Sequence, residues 1–111
     1  MVNIETFREM ALSLPDAAEL PHFERTSFRV NKKIFATLNV KKGLACIMLS
    51  ETDQYIFCNY DKAIIYPVPN KWGLKGATYV ELKTVGKKML KDMLKLAYNK
   101  IAVKKSASKK K

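Results

Sequence analysis

Three side chains in this 111-residue chain could act as a nucleophile, a neutral-pH base or a soft metal ligand: Cys46, Cys58 and the single histidine, His22. Neither cysteine has a partner at CxxC spacing, so one chain cannot supply the four Cys/His ligands of an ordinary zinc site. A pair of His22 with either thiol could make a nucleophile and its base, but no sequence context supports that pairing. Cys46 lies in an apolar stretch and reads most simply as a core residue. The chain therefore reads as a non-enzyme, with no cofactor and no metal expected.

The remaining chemistry is cationic. Net charge is +11, and it is unevenly spread. Residues 1–31 carry three arginines against five acids, a net of −2, whereas residues 32–111 carry all eighteen lysines against five acids, a net of +13. Without the five lysines after Val103 the chain still holds +6. Such asymmetry points to a polyanionic partner, DNA or RNA. The competing reading is that lysines simply keep the chain soluble. Two clusters fall at predicted turns, Lys32-Lys33 and Lys41-Lys42-Gly43, and a third, Lys71 and Lys75, flanks Trp72 in a loop. Basic hairpin tips can reach phosphates, although turns are polar in most proteins. The indole of Trp72 can stack on a base; the simpler expectation is that it closes an edge of the core. Lys87, Lys88, Lys91 and Lys95 recur at helical spacing and read as a solvated face, partly neutralised by Asp92.

The elements that position these residues follow from periodicity and punctuation. Asn3 caps a helix in which Ile4, Phe7, Met10 or Ala11, and Leu14 share one face, ended by Pro15. Residues 15–25 read as a loop between two prolines. Thr26 to Val30 is a strand, Asn31-Lys32 a tight turn, and Lys33 to Val40 a strand with Ile34, Ala36, Leu38 and Val40 opposite Phe35, Thr37 and Asn39. Leu44 to Leu49 is apolar on both faces and is expected at the sheet centre, covered on both sides. Ser50 caps a short helix through about Cys58. Ile64 to Val68 and Ala77 to Leu82 are further strands around a loop over 70–76. Thr84 is expected to cap a last helix, Val85 to Val103. The order argues for an α+β domain over 1–103, a twisted antiparallel sheet of about five strands with the terminal helices packed on one face. Residues 104–111 read as a disordered basic tail.

The start of the chain does not read as a secretory signal, and no stretch is apolar enough to span a membrane. A cytoplasmic monomer with both thiols reduced is expected. In a meander, the turns at 31–32 and 41–43 lie at opposite ends of the sheet. If the strand at 64–68 runs antiparallel to that at 44–49, the 69–76 loop joins the 41–43 end. Lys41, Lys42, Lys71 and Lys75 then share one rim with Trp72, and these five are the candidate nucleic-acid-binding residues.

The segment Pro69-Asn70-Lys71-Trp72-Gly73-Leu74-Lys75-Gly76-Ala77-Thr78-Tyr79-Val80-Glu81-Leu82 resembles the proline–tryptophan–glycine segment of the MmcQ/YjbR-like family. Ser27-Phe28-Arg29-Val30 with Lys33-Ile34-Phe35-Ala36, the Leu44 to Leu49 strand and a final helix with Ala97-Tyr98 fit the same pattern in the same order. The resemblance covers about residues 3–103. It implies the CyaY-like fold, a two-layer α/β sandwich, and DNA binding through wing-like β elements as suggested for members. Ala77 stands where a second large aromatic is expected, so that position cannot play an aromatic part. An iron-binding reading by analogy with frataxins fails on charge: the first helix offers only Glu5 and Glu9, and hard cations need clustered oxygens. The functional expectation is a nucleic-acid-binding module that contacts phosphates with little sequence selectivity. The alternative is a protein- or small-molecule-binding adaptor using Phe23, Phe28, Tyr66 and Trp72.

Overall fold

The computed structural model describes the backbone of residues 2–22 and 25–110 and the side chains of 2–21 and 25–102. Helix α1 (Ile4–Leu12) starts where expected, because Asn3 is extended and its Oδ1 accepts from the Thr6 amide at 2.7 Å. Its buried residues are Phe7 and Ala11, and the Phe7 ring meets Phe28 edge-on, with centroids 5.5 Å apart. On its outer side Arg8 reaches the next element. Its Nη2 lies 2.7 Å from Glu19 Oε1, and Thr26 Oγ1 donates to Glu19 Oε2 at 2.9 Å.

Glu19 belongs to a strand that the sequence pattern hides. β1 (Ala18–His22) pairs antiparallel with β2 (Arg25–Val30), from Ala18↔Arg29 to His22↔Arg25. Five residues containing both Pro21 and Glu19 show no apolar alternation. Edge pairing and the Arg8–Glu19 clasp make the strand, so the sheet has six strands rather than five. The others are β3 (Lys33–Asn39), β4 (Leu44–Met48), β5 (Ile65–Pro67) and β6 (Ala77–Glu81). Their order is β1-β2-β3-β4-β6-β5, and every neighbouring pair is antiparallel. The fold is α+β, as expected.

One face of this sheet carries the core. Phe28, Val30, Ala36, Leu38, Ala45, Ile47, Val80 and Leu82 are buried there with Phe7 of α1 and Leu90, Met93, Leu94 and Ala97 of α4 (Lys87–Lys110). β3 departs from simple alternation. Arg29 pairs with Ile34 but Phe28 pairs with Ala36, so Phe35 is an extra residue opposite no partner, a β-bulge. Below the bulge the parity switches. Phe35 turns into the core, fully buried and edge-on to Tyr98 of α4 at 5.9 Å, and Ile34 is left half-buried on the other face. The expected grouping of Ile34 with Ala36 and Leu38 is corrected accordingly.

The other elements follow their caps. Ser50 Oγ accepts from the Asp53 amide at 3.1 Å and starts α2 (Glu51–Cys58). Thr84 does not cap α4; its hydroxyl donates to the Glu81 carbonyl, and the first helical bond runs from the Leu90 amide to the Gly86 carbonyl. The α4 backbone continues to Lys110, past Val103 where the apolar pattern ends. The tail expected over 104–111 falls on side chains outside the described residues, as does Lys111 altogether. No helix among the described residues is long and apolar enough to cross a membrane.

The glycines at 43 and 76 differ in what holds them. Gly43 has φ 60 with open space around a Cβ position, whereas Gly76 has φ 110 and an added Cβ would lie 1.8 Å from the Leu49 carbonyl oxygen. We expect Gly43→Ala to cost about 1 kcal/mol, from backbone strain alone. Gly76→Ala should cost about 2–4 kcal/mol, because the β4–β6 junction must also open. Urea denaturation of the two variants side by side checks the ranking, and equal losses would refute it.

Candidate nucleic-acid interface

The loop that carries Trp72 is built rather than slack. After β5 the chain enters one helical turn, α3 (Lys71–Leu74), capped by Asn70, whose Oδ1 accepts from the Trp72 amide at 2.8 Å. Gly73 lets this turn press on β5: a Cβ there would sit 1.8 Å from the Val68 carbonyl oxygen. Gln54 of α2 donates from one Nε2 to both the Gly73 and Ala77 carbonyls, at 2.8 and 3.0 Å. So fixed, the turn projects its indole outward. Trp72 is 61 % exposed, contrary to the expectation that it closes the core. Lys75 Nζ sits 5.9 Å from the ring centroid, a cation–π contact on one side of the indole.

The predicted rim does not form as one cluster. β6 pairs with β4, from Leu44↔Glu81 to Met48↔Ala77, and β5 lies outside β6. β5 is thus parallel to β4, because α2 carries the chain across before β5 begins. The 70–76 segment therefore emerges beside Met48 and Leu49, where the Leu49 amide donates to the Gly76 carbonyl. The 41–43 turn lies at the other end, where the Leu82 amide donates to the Gly43 carbonyl. Lys71, Trp72 and Lys75 stay together, and Lys41 and Lys42 stand about 14 Å of strand away. The turn that does share the Trp72 end is 31–32.

Between the two ends lies the sheet face that no helix covers. It forms a basin of about 670 Å³ lined by Arg25 and Arg29 of β2, Lys32 and Lys33 at the turn, Ile34, Thr37, Cys46, Met48, Ala77 and Tyr79 on the strands, and Val68, Asn70 and Trp72 at the far wall. No carboxylate is among the lining residues that the structure describes. A much smaller hollow, sharing Arg25, Thr37, Cys46 and Tyr79, continues to Asn39 and Lys42. The apolar second face of β4 is thereby explained. Leu44, Cys46 and Met48 are half-buried as the floor of the basin, so β4 is central but has helices on one side only. Cys46 is floor, not core.

Two arginines enter the site without having been singled out. Arg25, Ser27 and Arg29 alternate along β2 with Thr26, Phe28 and Val30. Arg29 is held in place: its Nε donates to Ser27 Oγ at 3.1 Å, and the buried Ser27 hydroxyl donates to the Leu20 carbonyl at 2.9 Å. The turn is held at a cost. Asn31 and Lys32 have φ 53 and 67, the left-handed pair that a two-residue hairpin requires, and Lys32 occupies the position where glycine is least strained. The adaptor surface fares worse. Phe28 is fully buried, Tyr66 is half-buried against Glu81, and Phe23 lies outside the described residues. Cys46 and Cys58 are both free, and burial pushes both thiols up from their usual range.

Tyr66 and Tyr79 close the β5 side of the face, edge-on at 5.9 Å. The Tyr66 hydroxyl donates to Glu81 Oε2. That hydrogen bond, with smaller help from burial, pushes the phenol from its ordinary 10.0 up to about 12. The folded-state value is raised, so the contact contributes stability below pH 10 and loses it as pH rises through 12. In an alkaline absorbance titration read against Tyr66→Phe, we expect Tyr66 to ionise near pH 12 in the wild type. In Glu81→Gln it should ionise at a clearly lower pH, with burial still holding it above its ordinary value. No difference between the two would refute the pairing.

No curated protein matches the chain. Among solved structures, the fold is similar to that of the Deinococcus radiodurans protein DR2400, a DUF419 domain, with a TM-score of 0.76 over 88 % of this chain and 77 % of that one. At 18 % identity that likeness speaks for the fold alone. The family model for YjbR matches residues 12–100, which span β1 to α4 and include the Trp72 turn and the whole open face. The chain belongs to the YjbR family.

Proposed function

We propose that this protein is a nucleic-acid-binding module, acting in the cytoplasm as a monomer, that holds DNA or RNA on the open face of its sheet mainly through phosphate contacts. The observation that carries this reading is the basin lining, which among the described residues gathers four cations, Arg25, Arg29, Lys32 and Lys33, and no carboxylate. Lys71 and Lys75 flank its aromatic wall, and Lys42 stands at the far end with Lys41 beside it. A polyanion following β2 would meet Lys32, Lys33 and Arg29 at one end and Arg25 at the other, while the Glu81 carboxylate stays on the β6 border, held by the Tyr66 hydroxyl. With phosphates as the main contacts, sequence selectivity should be weak.

Salt dependence tests the proposal. Replacing Arg25, Arg29, Lys32 and Lys33 together by Ala should flatten the slope of log K against log salt by roughly two to four units, at about 0.7–0.9 per lost phosphate contact. The control replaces Lys87, Lys88, Lys91 and Lys95, all exposed on α4 in the other layer. Equal loss in both variants would mean attraction by net charge only, and the interface would fall. Separately, Lys32→Gly should raise stability by about 1 kcal/mol by relieving the turn while weakening binding; a variant more stable and equally tight would remove Lys32 from the interface.

A further inference from the structure

Taking the nucleic-acid reading as its premise, we infer that the ligand is an unpaired strand, with a base stacked on Trp72 and its phosphates along the β2 side of the basin. The reason is the division of chemistry across the face. The cations that line it lie on one flank, Arg25 and Arg29 on β2, Lys32 at the turn and Lys33 at the start of β3, with Lys71 and Lys75 outside the lining beside the indole. Its floor is uncharged and partly apolar, with Thr37, Cys46, Met48 and Tyr79. Its aromatic wall stands on the opposite flank, beyond β6. From β2 to β6 there are three strand spacings, about 14 Å in all. A bare polyphosphate would use the cations and gain nothing from the floor or the indole. A duplex keeps its bases stacked inside and presents phosphates on a convex surface, so it has no π-face to offer Trp72 and nothing to fill the basin. An unpaired strand has both parts in the right relation, with sugar-phosphate on one side and flat, apolar base faces on the other. Open sheets that stack bases on exposed aromatic rings use this same division.

The indole is prepared for the role. It is 61 % exposed yet mounted on a turn fixed by Asn70, Gly73 and Gln54, so little order is lost when a base settles on it. Lys75 stands over one face of the ring, which leaves the other face for the base.

Trp72 is the sole tryptophan of the chain, so its fluorescence reports the contact directly. The 111-residue chain is titrated with three probes of equal length, about 12 nucleotides: oligodeoxythymidylate, the same strand without bases, and a duplex. The single strand is expected to bind tightest and to quench Trp72. It should also protect Cys46 on the floor from alkylation at alkaline pH, leaving the reaction of Cys58 on α2 unchanged. The abasic strand should bind more weakly without quenching. Trp72→Ala should weaken single-strand binding about tenfold to a hundredfold, and Trp72→Phe should keep most of it. A duplex that binds as tightly as the single strand, or single-strand binding indifferent to Trp72→Ala, would overturn the inference and leave the nucleic-acid reading standing. Failure of every probe to bind at low salt would overturn both.

Discussion

The backbone ladder between β4 and β6 fixes what faces the open side of this molecule. Once Met48 pairs with Ala77, the segment before Ala77 must rise at the Leu49 end, beside the turn that follows β2. Gly76 makes the junction possible by letting the Leu49 carbonyl come to where any Cβ would stand. Gln54 of the crossover helix then ties the Gly73 and Ala77 carbonyls together. Backbone pairing, a missing side chain and one buried-side amide thus decide where an exposed indole stands. Had β5 paired with β4 directly, the same residues would face the 41–43 turn instead.

The second constraint lies in β3. An antiparallel sheet with helices on one side must put a different residue set on each face, and strict alternation would send Phe35 outward. The bulge sends it inward to Tyr98 and leaves Ile34 on the open side. Bulges bend the strand that carries them. This one lies between Arg29 and Thr37, on the flank of the basin where the cations gather.

Much of the fold was legible because it is local. Asn3 and Ser50 announce their helices, and five of the six strands, β2 to β6, show their period or their apolar run between turn residues. β1 was not, because its pairing depends on Arg8 and on β2 rather than on its own composition. The candidate site was legible by halves. The basic turns and Trp72 could be picked out, but which turns meet depends on strand order, and that is decided by a crossover whose path no short pattern records. The arginines of β2 were hidden by arithmetic. Residues 1–31 sum to −2, yet Glu5 and Glu19 are engaged by Arg8, which leaves Arg25 and Arg29 facing the basin without a carboxylate among its described lining. A regional sum cannot say which charges are already matched.

The outer border of β5 has a consequence for assembly. The Val68 amide donates to Ala77 and the Ile64 carbonyl accepts from Glu81, so by alternation the amide positions of Ile65 and Pro67 point away from β6. The first is occupied, since Ile65 donates to the Asp61 carbonyl; the second has no hydrogen to give. That border therefore offers a foreign strand no backbone donor along its whole length. Sheets that end in unsatisfied donors recruit further strands and grow into fibrils or swapped pairs. This one is sealed on that side by a tight turn and an imino ring, so the face can stay open to a ligand while its margin resists polymerisation.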